Sequence, residues 1–323
     1  MKKLLIASTA LVATASVAAA EINFSGYGRF GLLYEEDRAE GEETRFESRF
    51  RLNIDGVTTT DGGVRFAARI RVEANDNADN TADAGSFGGA RFQVSAGGFR
   101  VRAGNISGVT DAAEVVNYFG FEPGLIGQTG QYANFGASFD AFASSSAGGA
   151  EGAGGVNGIN VKYEVGDFAI MGSYSEDQDE NDDAVEAGRE ERIEIGASYT
   201  FGAWTVGGVY GDAESDGSDG GAEVDNDWWV LTASGSIGPA DVVFFVGDSD
   251  NDDDATLGIS GSFPVGASTD IVASISDGGD NDNDTSYGIG FAHSLGGGVS
   301  LSGMVGSNAD DNTIADLGVR FNF

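Results

Sequence analysis

Between Arg45 and Asn105, arginine keeps returning on positions of a single parity within each short run: Arg45, Arg49 and Arg51; Arg65, Arg69 and Arg71; Arg91; Arg100 and Arg102. A guanidinium is always charged and carries its donors in a rigid fork, so the pattern offers rows of fixed positive charge that attract anions and orient polar groups. These arginines cannot line a dry core, because each buried guanidinium would need its own partner. The places between them carry Phe46, Phe50, Leu52, Phe66, Ile70, Val72, Phe92, Val94 and Val101. A period of two means strands with one apolar and one charged face. The charged face must meet water. The apolar face must meet either a protein core, as in a sandwich, or lipid, as in a barrel with a wet lumen.

Other chemistry is sparse. Cysteine is absent, so neither a disulfide framework nor a thiolate metal site exists. His293 is the only histidine, and it shares parity with the apolar Tyr287, Ile289, Phe291 and Leu295. A serine–histidine nucleophile therefore has nowhere to assemble. A paired-carboxylate mechanism is compatible with the composition, but no specific feature supports it. The runs holding Asp250, Asp252 and Asp254, and Asp280, Asp282 and Asp284, have the oxygen density for Ca²⁺ without the closing glutamate of an EF-hand. Solvated acidic loops are the more frequent explanation of such runs, and loops bridged by divalent ions to lipopolysaccharide phosphates are a hybrid of the two readings.

The elements that must position these residues begin after an export signal. Lys2 and Lys3, the apolar stretch from Leu4 to about Ala15, and Ala18-Ala19-Ala20 form its three parts, so residues 1–20 are expected to be cleaved and 21–323 to form one domain. The apolar stretch is well short of the ~20 residues of a spanning helix. Acidic residues outnumber basic ones 52 to 17, a formal charge of −35, which excludes nucleic acid as a partner. Eleven arginines nevertheless lie between Arg29 and Arg102.

Period-two segments then recur through the chain, giving sixteen expected strands. Their connections alternate between long acidic ones, such as Glu35–Glu43 and Glu176–Gly188, and short glycine-rich ones, such as Gly97-Gly98 and Gly296-Gly297-Gly298. About 19 residues per strand and connection suit tilted spans of ~9–11 residues, and an even strand count suits a transmembrane antiparallel β-barrel. The expected fold is all-β, a barrel rather than a sandwich or solenoid, since no fixed short repeat appears.

One connection breaks the pattern, from about Ile106 to Val156. Loops beyond ~12–15 residues are uncommon unless functional. Thr110 is placed to cap a helix over Asp111–Tyr118, with Ala112, Val115, Val116 and Phe119 as its apolar stripe. So apolar a segment needs a surface to fold onto, and the lumen is the wall available.

The signal, the strand count, the long fifth-strand loop and the ending Leu317-Gly318-Val319-Arg320-Phe321-Asn322-Phe323 resemble the alphaproteobacterial general porins; Ile22-Asn23-Phe24-Ser25-Gly26-Tyr27-Gly28-Arg29 is similar to that family's first strand. The resemblance implies a homotrimer of sixteen-stranded outer-membrane barrels, each a water-filled channel narrowed by the long loop. It implies a basic wall at Arg45, Arg49, Arg51, Arg65, Arg69, Arg71, Arg91, Arg100 and Arg102, facing loop carboxylates Asp111, Glu114 and Glu122, with Asp140 as a weaker match. It also implies an assembly signal at Leu317, Val319, Phe321 and Phe323. Opposed rows of charge across a passage orient polar solutes and disfavour apolar ones. The same pairs also read as salt bridges that merely hold the loop.

The expected function is passive diffusion of small hydrophilic solutes and ions across the outer membrane of a Gram-negative bacterium, with no enzyme activity and no required cofactor. The acidic mouths predict a weak cation preference, against which the arginine wall works. A substrate-specific channel is the nearest alternative; a non-porous adhesin and an outer-membrane enzyme are further ones. Outer-membrane lipid and lipopolysaccharide are the expected surroundings.

Overall fold

A computed structural model describes residues 20–39, 41–75, 85–126, 129–134, 139, 141, 144, 157–176, 190–216 and 223–323. The expected export signal, apart from Ala20, and Asp140 lie outside the described residues.

The chain alternates β1 (Glu21–Glu35), β2 (Thr44–Thr59), β3 (Arg65–Asn75), β4 (Ser86–Phe87), β5 (Arg91–Ala96) and β6 (Phe99–Asn105), then one helical turn, α1 (Val109–Ala112). After the long loop follow β7 (Asn157–Val165), β8 (Phe168–Glu176), β9 (Glu190–Phe201), β10 (Trp204–Asp216), β11 (Glu223–Ile237) and β12 (Ala240–Ser249). The wall ends with β13 (Asp254–Pro264), β14 (Thr269–Gly279), β15 (Ser286–Gly296), β16 (Val299–Ser307) and β17 (Thr313–Asn322). Each strand pairs antiparallel with its sequence neighbour, and β1 pairs with β17 from Tyr27↔Asn322 to Glu35↔Ile314, which closes the sheet. Both β4 and β5 pair with β3 and together form one interrupted strand, so the wall is a closed barrel of sixteen strands. The expected unbroken strand over Phe87–Ala96 is interrupted at Gly88, Gly89 and Ala90, although the Gly88 N–H still donates to the Arg71 carbonyl at 2.8 Å.

The barrel is inside out relative to a soluble protein. Phe24, Leu32, Phe92, Ile195, Leu231, Ile289 and Leu317 are 51–64% exposed on the outer face, the apolar band of a membrane-spanning barrel. No helix among the described residues is long and apolar enough to cross a membrane. Leu317, Phe321 and Phe323 belong to this outward set, with Val319 between them half-buried. His293 pairs with Thr269 across β14–β15, and its Nδ1 lies 2.7 Å from the Thr269 hydroxyl.

Inside, the two halves of the wall differ. Strands β2 to β6 turn polar and charged side chains inward. Strands β8 to β12 instead present Met171, Val209, Val230 and Phe245, all buried, and these pack with Val109, Val115, Val116 and Tyr118 of the long loop. The core of this molecule therefore lies between a loop and the inner wall. A smaller cluster of Leu33, Met304 and Ile314 receives Ile126 on the opposite side.

Candidate functional site

The basic wall is built by cross-strand register. On β2 and β3 the inward pairs are Arg51↔Glu73, Asn53↔Arg71 and Asp55↔Arg69. Arg51 bonds Glu73, and Arg71 Nε donates to Asn53 Oδ1 at 3.0 Å. Arg69 forks onto Asp55 at 2.7 and 3.0 Å, and Arg49 donates to Asn75 Oδ1 at 2.6 Å. Opposite-charge neighbours on one face are the sheet's own stabilising pairs. The next pair breaks that rule: Arg69 stands directly opposite Arg91, a like-charge juxtaposition that water or a ligand must relieve.

The nine arginines do not form one ring. Arg45 sits near the long-loop end of β2, against Glu35 and Glu47. Arg65 is exposed at the first residue of β3, beside the tight turn. Arg69, Arg71, Arg91 and Arg102 form an electrostatic group, since Arg91 feels the charges of the other three. Period-two parity shows which side chains face inward but not their height.

The loop runs around the inner wall from β7 to β17, held by a series of polar tethers. Asn160 Nδ2 donates to the Ser107 carbonyl at 3.0 Å, and the Val109 N–H reaches Ser173 Oγ at 3.1 Å. The Thr110 N–H donates to buried Glu194 at 2.6 Å, while Trp228 Nε1 donates to Thr110 Oγ1 at 3.1 Å. Farther on, the Phe121 N–H meets Ser260 Oγ at 2.7 Å, and the Leu125 and Ile126 N–H groups share Asp316 Oδ2 at 2.8 and 3.0 Å. A side chain at Gly207 would run into the Val115 carbonyl, and one at Gly318 into Leu125. Glycine is required at both places because loop and wall touch there.

The expected helix Asp111–Tyr118 is corrected to the single turn Val109–Ala112, with Gly108 in the cap position and Ala113 left-handed at φ 51°. Thr110 is inside the turn, its hydroxyl used by Trp228 rather than as a cap. The chain unwinds because Val115, Val116 and Tyr118 gain more from docking on the wall than from continuing a helix of modest propensity. Trp228 of β11 is wholly buried inside. Tyr27 also faces the lumen, with the guanidiniums of Arg320 and Arg51 at 4.0 and 5.3 Å from its ring centre.

Of the loop carboxylates, Glu114 meets the wall. Its oxygens take Arg100 Nη2 at 2.5 Å, Arg102 Nη1 at 2.6 Å and Lys162 Nζ at 3.2 Å. Burial raises the carboxyl, but the Arg100 hydrogen bond and the charge of Arg102 outweigh it, so the group stays below the ordinary glutamate value. Asp111 accepts the Tyr118 hydroxyl at 3.0 Å, and burial holds its carboxyl above the usual aspartate range. Both line a polar recess of about 280 Å³ with Arg91 and Arg102.

Glu122 lies elsewhere, hydrogen-bonded to Tyr132 and within the field of Arg29; burial outweighs both and pushes it up to about 7. Pro123 and Gly124 turn the chain toward β17, which separates Glu122 from the arginine group. An undocked loop would ionise this glutamate near its ordinary value of 4.5. Between that value and about 7 the docked state binds the extra proton, so docking weakens as pH rises through the window. Protease nicking of the loop should therefore be faster at pH 8 than at pH 5, and Glu122→Gln should flatten the difference. An unchanged pH profile in that variant would exclude Glu122 as its source.

Lys162, Glu194 and Asp316 were not singled out from sequence. Lys162 is the only lysine after residue 20, and Asp316 stands at inward parity between Ile314 and Gly318, so both left a signal. The six aspartates of the acidic runs lie at the β12–β13 and β14–β15 connections, which touch where the Asn281 N–H donates to Asp253 at 3.1 Å. Among the described residues no group of three or more His, Cys, Asp or Glu is arranged to hold a metal ion.

The Gram-negative porin family model matches residues 7–313. A porin of Fuscovulum blasticum is 33% identical over 312 residues, spanning 94% of this chain and all of that relative. A solved double-tryptophan variant of the Rhodopseudomonas blastica porin superposes with a TM-score of 0.78 at 30% identity, over 94% of this chain and 100% of that one. A further variant of that porin, with a lysine, an arginine, an aspartate and a glutamate replaced by alanine, gives 0.77 at 31% over the same shares.

Proposed function

Because the chain belongs to the Gram-negative porin family, a family of outer-membrane channels, we propose that it passes small hydrophilic solutes and ions by passive diffusion, with a weak cation preference. The observation that carries this reading is the uneven docking of the loop. It covers the apolar inner wall of β8 to β12 and leaves the arginines of β2, β3 and β5 facing open lumen. Solutes must pass between a basic wall and a loop edge bearing Asp111 and Glu114. The acidic connections at the mouths raise the local cation concentration, and the wall opposes them at the narrow part. Family membership points to a channel rather than an enzyme.

We further propose a homotrimer. Its support is the outward phenylalanine set on β1 to β5, in which Phe24, Phe46, Phe50, Phe66 and Phe92 are 43–64% exposed, an apolar surface that suits another protomer as well as lipid. The acidic runs act in this reading as diffuse counter-charge, with calcium bridging to lipopolysaccharide phosphate an optional addition.

Purified protein in planar bilayers under a KCl gradient tests the proposal. Stepwise conductance grouped in threes, with a reversal potential favouring potassium, is expected. A reversal favouring chloride would hand selectivity to the arginine wall, and folded protein without conductance would end the channel reading.

A further inference from the structure

We propose that the recess between α1 and the β5–β6 hairpin is a subsite for small zwitterions of the α-amino acid class, with Arg91 taking the carboxylate and Asp111 the ammonium group. The inference rests on the channel reading and gives that channel a preferred class of solute.

Four charged side chains line the recess, and two of them are already engaged. Arg102 donates to Gln93 at 2.9 Å and to Glu114 at 2.6 Å. Glu114 is shared among Arg100, Arg102 and Lys162. The other two keep capacity. Arg91 makes no hydrogen bond or ion pair among the described residues, and it stands opposite Arg69, whose fork is closed by Asp55. Asp111 accepts one hydroxyl, from Tyr118, on Oδ1, and its Oδ2 has no partner among the described residues. One side of the recess therefore offers a bidentate cation and the other a carboxylate oxygen, with Ser107 and Ser144 on the same lining.

Charge decides which ligand fits. A simple anion reaching Arg91 would also face Asp111 and Glu114, and a simple cation reaching Asp111 would face Arg91 and Arg102. Like charges at such separations cost what the opposite charge gains. A molecule carrying both charges a few bonds apart satisfies Arg91 and Asp111 together. At about 280 Å³ the recess lies just below the range of ordinary ligand pockets, so the occupant is small. Arg91 and Arg102 of the inner wall line it, which sets it beside the passage and suits a site that must release what it holds.

The test is tracer uptake of L-alanine and glycerol into the same phosphatidylcholine vesicles containing the whole assembled channel. Glycerol matches alanine in size and carries no charge, so its uptake reports the pore itself in every preparation. Alanine entry is expected to saturate at about millimolar concentration while glycerol entry stays linear. Arg91→Gln and Asp111→Asn should each abolish the saturation and lower the alanine-to-glycerol ratio by at least about fivefold, as loss of a charge-assisted hydrogen bond implies. Arg91→Lys, which keeps the charge, should retain saturation. Linear alanine entry in the unmodified channel would overturn the subsite while leaving the porin intact. So would saturation in the Asp111→Asn variant, which would reveal a plain anion site. Failure of glycerol to enter vesicles holding folded barrels would overturn the channel reading and the subsite with it.

Discussion

Replacing Glu114 by glutamine is expected to raise the chloride-to-potassium permeability ratio about tenfold while the barrel stays closed. The carboxylate is shared by Arg100, Arg102 and Lys162, within 2.5 to 3.2 Å. Glutamine keeps the shape and one acceptor but removes the negative charge the three cations share; Arg102 then retains Gln93 at 2.9 Å and Lys162 retains Glu164 at 2.9 Å. A unit charge about 6 Å from a passing ion is worth ~0.7 kcal/mol even at the dielectric constant of water, roughly threefold for each ion sign and about tenfold in their ratio. The loop should remain in place, because the bonds of Thr110 to Glu194 and Trp228 do not involve residue 114. Reversal potentials at 0.1 M salt read the effect. At 1 M it should shrink as the Debye length falls to ~3 Å. An unchanged reversal potential at low salt would reduce Glu114 to a strut that holds the loop without shaping the field. A large jump in conductance would instead mean that the loop had come away, a different role again.

The parts of this site that were legible in the sequence are those set by parity. Arg51, Arg69, Arg71 and Arg102 had to share a face with one another and oppose Phe50, Ile70 and Val101, since a one-residue slip would exchange lipid for water along a whole strand. The ends of β7 and β16 follow from the same pattern and from the glycines that bound them. Tertiary partners leave no such trace. Nothing local marks Glu194 as the residue that holds Thr110, 84 positions away. The short helix failed as an expectation for the same reason: local periodicity suggested two turns, but the wall of β8 to β12 offered Val115 and Val116 a better surface than solvent. That wall was itself half-legible. Met171, Val209, Val230 and Phe245 are apolar at inward parity, which in a water-filled barrel requires a cover, and the one long loop was there to supply it.

Asp316→Ala is expected to release the middle of the constriction loop and enlarge the channel without opening the barrel. The Asp316 side chain, on the inward face of β17, accepts from two consecutive backbone donors, Leu125 N at 2.8 Å and Ile126 N at 3.0 Å, which have no other acceptor among the described residues. Unpaired donors in such a place cost about 1–3 kcal/mol each, so the turn over Gly124–Ile126 loses some 2–6 kcal/mol of its hold on the wall. Arg29, which bonds Glu47 at 2.7 Å and the Leu125 carbonyl at 3.4 Å, cannot replace the lost acceptor because it has none to offer. The pairing of β17 with β1 and β16 runs through the backbone and is untouched. Single-channel conductance should therefore rise and become noisier, and protease should nick the loop while the barrel keeps its heat-modifiable mobility on gels. Asp316→Asn, which retains one acceptor oxygen, should fall between the two. If the alanine variant conducts and resists protease like the parent, the hold resides instead in Ile126 against Leu33, Met304 and Ile314. The charge on Asp316 would then matter to the field of the pore and not to its width.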